Sequence, residues 1–120
     1  MRIRKLKNCT EIKAGDSTIL RELLHPDKDY PFDGRYSLAH AKLPVGTESD
    51  KHKLTTDEVY YILEGKGEMY VDGETVIVEK GDTIEIPPNA VQSIKNIGDC
   101  ELLFLCIVDP AWRAEDEEIL

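Results

Sequence analysis

GTESDKHKLTTDEVYYILEG, residues 46–65, decides the fold. Glycines close both ends, and Val59-Tyr60-Tyr61-Ile62-Leu63 is the β-branched and aromatic mixture that favours a strand. An imidazole, His52, and a carboxylate, Glu58, lie within the same stretch. A second stretch, GDTIEIPPNAVQSIKN at residues 81–96, again opens on glycine and ends on a polar residue. Together the two predict a small β-barrel with a polar pocket that suits a metal ion.

Working outward, short apolar runs continue at Glu68–Val71, Thr75–Val78, Thr83–Ile86, Val91–Ile94 and Leu102–Val108. Asp72-Gly73 between two of them is a hairpin signal, since both residues tolerate positive φ. Gly65-Lys66-Gly67 and Lys80-Gly81-Asp82 mark further turns. Strands at roughly 8–12-residue spacing without intervening helix predict an all-β fold, an antiparallel sandwich or barrel. Parity places Glu58, Tyr60 and Ile62 on one face of their strand and Val59, Tyr61 and Leu63 on the other. With Glu58 inward, the outer face is apolar and needs a cover: the N-terminal segment or a second subunit. On the later strand Gln92, Ile94 and Asn96 share the inner face.

The chain has 120 residues, the length of one domain. Hydrophobic residues at 41% and charged residues at 32% match an ordinary soluble globule. A net charge of -9 and a pI near 4.8 argue against a nucleic-acid partner. No apolar run nears the roughly 20 residues of a membrane helix, so no membrane partner is expected. The N-terminus, MRIRKLKNCTEIK, lacks the apolar centre of a signal peptide, and the expected location is cytoplasmic. Cys9, Cys100 and Cys106 show no C-x-x-C spacing and are expected as buried free thiols. No nucleotide loop or Ser-His-Asp pattern appears. We divide the chain into residues 1–34 (N-terminal extension and edge strands), 35–108 (barrel core) and 109–120 (acidic tail). Residues 17–25, STILRELLH, fit either a helix face or an extended segment ended by Pro26. His25 is expected as an exposed turn residue, the tail as a solvated face, and Trp112 as its clamp.

The two stretches resemble the signature of the cupins, G-x5-H-x-H-x3-E-x6-G followed by G-x5-P-x-G-x2-H-x3-N. Gly46, His52, Glu58 and Gly65 fall at the first spacing, and Gly81, Pro87 and Asn96 at the second. The run is similar to single-domain small cupins, among them an aromatic polyketide cyclase. The resemblance implies a jelly-roll β-barrel (a double-stranded β-helix), often a homodimer, with a divalent transition metal inside. Three positions depart from the pattern: Leu54 and Gln92 replace two histidines, and Asn89 replaces a glycine. Asparagine accepts left-handed φ, so the last change is mild. The implied ligand set is His52, Glu58 and Gln92, a site for zinc, manganese, iron, nickel or cobalt with open positions for substrate.

His40 would restore a second imidazole if its face of residues 36–42 points inward. Gln92 fits a ligand or a hydrogen-bonded core amide. Tyr60 fits a catalytic hydroxyl on the substrate or a packed ring. Two functions follow. One is a metal-dependent enzyme on a small organic substrate, with isomerase, cyclase, decarboxylase or dioxygenase chemistry. The other is a non-catalytic barrel that binds or senses a small molecule through a degenerate site.

Overall fold

The structure, a computed structural model, describes residues 1–120. Eleven strands build it: β1 (Glu11–Lys13), β2 (Ile19–Leu24), β3 (Ser37–Leu43), β4 (His52–Leu54), β5 (Asp57–Glu64), β6 (Lys66–Val71), β7 (Glu74–Glu79), β8 (Thr83–Ile86), β9 (Gln92–Asn96), β10 (Leu102–Asp109) and β11 (Glu117–Ile119). The only helical pieces are two single 3-10 turns, Leu6–Asn8 and Ala114–Asp116. One sheet runs β1-β2-β3-β10-β5-β8 and the other β11-β4-β9-β6-β7, with all pairings antiparallel. The inner faces enclose a core in which Phe104, Leu43, Ile62, Ile94 and Leu102 are fully buried. Each such side chain contributes about 1.5–3 kcal/mol by leaving water. No helix is long and apolar enough to cross a membrane.

Local signals set the turns. Asp72 and Gly73 take φ of 45° and 87° in the β6–β7 hairpin, the two positive values the Asp-Gly pair predicts. Asn89 takes φ of 67°, filling the role of the missing glycine. At Gly65, φ is 90° and a Cβ would lie 2.8 Å from the Glu101 carbonyl oxygen, so a side chain is excluded on both counts.

Alternation on β5 follows the expected parity, with Glu58, Tyr60 and Ile62 buried and Tyr61 exposed. Residues 17–25 resolve in favour of the extended form. Their Ile19–Leu24 portion is β2, which pairs with β3. β1 and β2 widen the sheet beyond β3 and do not cover its outer face, where Tyr61 is 41% and Ile107 39% exposed.

Several expectations are corrected. His25 is buried: its Nδ1 accepts from the Asp27 N–H at 3.1 Å, so Nε2–H donates to the Trp112 carbonyl at 2.8 Å. The acidic tail ends in a strand, because Glu117–Ile119 finds the open edge of β4. Cys9 and Cys106 are buried, but Cys100 lies exposed in the loop before β10.

Candidate functional site

β5 supplies Glu58 and Tyr60, and β4 and β9 bring His52 and Gln92 opposite one another as paired residues. All four side chains are buried. Gln92 links two of the others. Its Nε2 donates to Glu58 Oε1 at 2.7 Å, and its Oε1 accepts from the Tyr60 hydroxyl at 3.1 Å. The amide oxygen offered as a metal donor in the sequence reading is therefore held by a phenol, and the amide nitrogen faces the carboxylate.

His40 is not part of this group. β3 buries Ser37, Ala39, Ala41 and Leu43, so His40 stands on the outer face. There it lines a separate hollow with Glu11, Arg21, Lys42 and Glu101. Burial, followed by the charges of Arg21 and Lys42, holds its imidazole below the usual histidine pKa. The proposed replacement of the lost second histidine by His40 is thus overturned by geometry. The inner face of β3 carries small side chains, and that leaves room for a cavity.

That cavity has a volume of about 270 Å³. His52, Glu58 and Tyr60 line one part of it, and Asp16, Trp112 and Glu117 another. The second three come from the chain ends. Asp16 sits in the turn between β1 and β2, where its Oδ1 accepts from the Thr18 N–H at 3.0 Å and its carbonyl accepts from Asp50 N–H at 2.7 Å. Glu117 begins β11, and the Trp112 indole N–H donates to it at 3.4 Å. The Ala14-Gly15-Asp16-Ser17-Thr18 sequence signals a turn. Nothing local in it signals a turn laid over the mouth of a barrel.

Asp16 is the carboxylate that meets the imidazole. His52 Nδ1 contacts the Asp50 carbonyl at 2.7 Å, and since a carbonyl only accepts, Nδ1 carries the hydrogen. Nε2 then points inward, 3.5 Å from Asp16 Oδ2, a distance at which a protonated ring and the carboxylate make an ion pair. Glu58 is raised to about 8 by burial first, opposed by the Gln92 hydrogen bond and reinforced by Asp16 and Glu117. Its carboxyl is consequently mostly protonated at neutral pH. Burial likewise pushes Tyr60 and Cys106 well above their ordinary values, with the Glu58 charge adding to both. Glu117 is raised, again by burial first.

No three His, Cys, Asp or Glu side chains close on one point. Two groups capable of metal donation, His52 Nε2 and Asp16 Oδ2, do lie 3.5 Å apart. A divalent cation satisfies both, and one imidazole with surrounding carboxylates suits a hard or borderline ion. These residues would suit a loosely held cation, with Asp16 as a donor beside His52 that the motif spacing does not suggest.

Comparison with known proteins adds to this geometry. A family model described as a cupin domain matches residues 39–108. An uncharacterized protein of Methanocaldococcus jannaschii is 49% identical over 107 residues, covering 88% of this chain and 83% of that protein. An oxalate-binding protein of Thermotoga maritima is 35% identical over 71 residues, covering 58% of this chain and 59% of that one. Among solved structures, a Thermotoga maritima protein described as a predicted oxalate decarboxylase superposes with a TM-score of 0.78 at 24% identity, covering 91% of this chain and 99% of that one. A Streptomyces nucleoside dehydratase superposes with a TM-score of 0.80 at 16% identity, covering 100% of this chain and 91% of that one. At such identities these two share the fold.

Proposed function

The chain belongs to the cupin family, and from that premise we propose that its barrel is the active site of a small enzyme that moves a proton on a small polar organic substrate. One observation carries the reading: a buried carboxyl pushed up to about 8 by burial, Glu58, lines the same cavity as an imidazole, His52, whose Nδ1 is fixed on the Asp50 carbonyl and whose Nε2 faces Asp16. An acid that still holds its proton near neutral pH and an imidazole that can take or give one at Nε2 are the two halves of proton transfer.

Each neighbour has a part in that assignment. The Asp50 carbonyl fixes the His52 tautomer, leaving Nε2 as the acceptor. Asp16 Oδ2, 3.5 Å away, stabilises the imidazolium formed when Nε2 takes a proton. Gln92 orients Glu58, and Tyr60 orients Gln92, so Tyr60 is a positioning residue with its hydroxyl turned to the amide. The walls contributed by the two chain ends hold water away from the pair. A zinc, manganese, iron, nickel or cobalt ion would be held by His52 and Asp16, with Glu58 and Glu117 nearby, and would supply Lewis acidity toward a substrate oxygen. We place the protein in the cytoplasm, a reading supported by its unpaired cysteines. We read it also as a homodimer, because the outer face of β5 and β10 leaves Tyr61 and Ile107 uncovered.

The test is hydrogen–deuterium exchange at carbon, followed by NMR in heavy water, with small hydroxy acids, keto acids and nucleosides that bind the cavity. Wild type accelerates exchange of at least one, and His52→Ala abolishes it with the fold intact by circular dichroism. Binding without exchange for every compound would move the protein to a second reading, a non-catalytic small-molecule binder. One observation favours that alternative: the 35% identical relative is named for binding.

A further inference from the structure

The geometry points to a substrate with a flat apolar body, a single ring, whose oxygen substituent meets Glu58 and His52, and to Ala39 as the residue that limits the ring's size. It is a refinement that rests on the proton-transfer site proposed above. Strand register lays out the cavity wall. On the inner face of the six-stranded sheet one row runs Glu22, Ala39, Cys106, Tyr60 across β2, β3, β10 and β5. The next row runs Ser37, Val108, Glu58 across β3, β10 and β5. All seven residues line the cavity. Carboxylates stand only at the ends of these rows. Glu22 lies 3.5 Å from Lys28 on one side, and Glu58 feels the charges of Asp16 and Glu117 on the other. Neighbouring strands are about 4.8 Å apart, so the β2 and β5 columns are separated by about 14 Å. Between them the floor is built from short side chains alone, Ser37, Ala39, Cys106 and Val108.

That floor is apolar. Ala39 and Val108 present methyl groups. Burial pushes the Cys106 thiol well above its ordinary value, so it stays uncharged and packs as a small hydrophobe. The Ser37 hydroxyl is already engaged, accepting from the Trp112 backbone N–H at 3.0 Å. Leu20, Phe104 and Trp112 add further carbon to the wall. Size is an independent observation. A cavity of about 150 Å³ with aliphatic and aromatic walls takes benzene. At about 270 Å³ this one has room for a ring and a polar substituent. A two-carbon dicarboxylate would leave most of the carbon wall uncovered and forfeit its dispersion contacts. Ala39 sits between Glu22 and Cys106 in the middle of its row, so a larger side chain there takes the ring's place.

The test uses full-length protein with 13C-labelled alanine and valine methyl groups. Phenol, benzene, ethylene glycol and oxalate are titrated at pH 7. Affinity comes from the titration curves, and the ring-current shifts of the Ala39 and Val108 methyl signals report a ring seated on the floor. Phenol is expected to shift both signals and to bind at least tenfold more tightly than ethylene glycol or oxalate, and several-fold more tightly than benzene. Ala39→Leu should weaken phenol at least tenfold. Ala39→Ser adds a hydroxyl at nearly the same size and should weaken it several-fold, which keeps the inference testable if the leucine variant does not fold. Ethylene glycol or oxalate binding as tightly as phenol, or phenol affinity unchanged in the variants, overturns the ring inference and leaves the proton-transfer site standing. If none of the four binds, the ring inference falls alone where the carbon-bound exchange assay still finds a substrate, and both fall where it finds none.

Discussion

Gln92 and Asn96 sit on the same strand, on the same inner face, with 1% and 2% exposure, and they do different things. Asn96 spends its amide on backbone. Its Nδ2 donates to the carbonyls of Leu43 and Cys100, both at 2.9 Å, and its Oδ1 accepts from the Gly98 N–H at 2.9 Å. Gln92 spends its amide on two side chains, Glu58 and Tyr60. One end of the barrel is thus a closed end pinned by peptide groups. The other is a cavity whose hydrogen bonds run through groups that titrate. A buried amide that completes the backbone is structure, and one that orients a carboxyl is chemistry.

The largest expected effect tests the cavity end. Glu58 holds its proton up to about pH 8 when folded and releases it near 4.5 when unfolded. Between those values the folded state binds more protons, so stability is full below the lower value and declines as pH rises to the upper one. The 3.5-unit difference corresponds to a loss on the order of 4–5 kcal/mol. Urea titrations of chelated protein from pH 4 to 9 should follow that slope. Glu58→Gln, which keeps an acceptor for Gln92, should flatten it.

Asn96→Ala probes the closed end and should cost about 3 kcal/mol at every pH, since it strands the buried Leu43 carbonyl and loses the half-buried bonds to the Cys100 carbonyl and the Gly98 N–H. A pH-dependent loss there would erase the contrast between the two ends. His52→Ala should reduce carbon-bound hydrogen exchange by about a hundredfold or more while shifting the urea midpoint little. The smallest effect belongs to the turn that leads into β9. Asn89→Ala should destabilise by about 1 kcal/mol through its φ of 67°, and Asn89→Gly should be close to neutral.

Some of this was legible beforehand. The motif spacing and the parity of β5 brought His52, Glu58, Tyr60 and Gln92 to one place. His40 shares its face with Leu38 and Lys42, while Ser37, Ala39, Ala41 and Leu43 form the smaller and more apolar set, so hydropathy already opposed the inward histidine that the missing second imidazole invited. The interior took the smaller set, with Ala39 and Ala41 registered against Cys106 and Phe104 of β10. His25 was missed for a related reason, since its partner is the carbonyl of Trp112 at the far end of the chain.

Sequence alone determined the core strands β5 to β10, the Asp-Gly hairpin, the left-handed turn at Asn89 and the inward set on β5, because each depends on a few adjacent residues and the two-residue period of a strand. Tertiary structure decided which carboxylate faces the imidazole. Asp16 and Glu117 lie near opposite ends of the chain and reach the cavity through the β1–β2 turn and the pairing of β11 with β4. Those long-range pairings leave no periodic trace, and they supply the charge that surrounds His52.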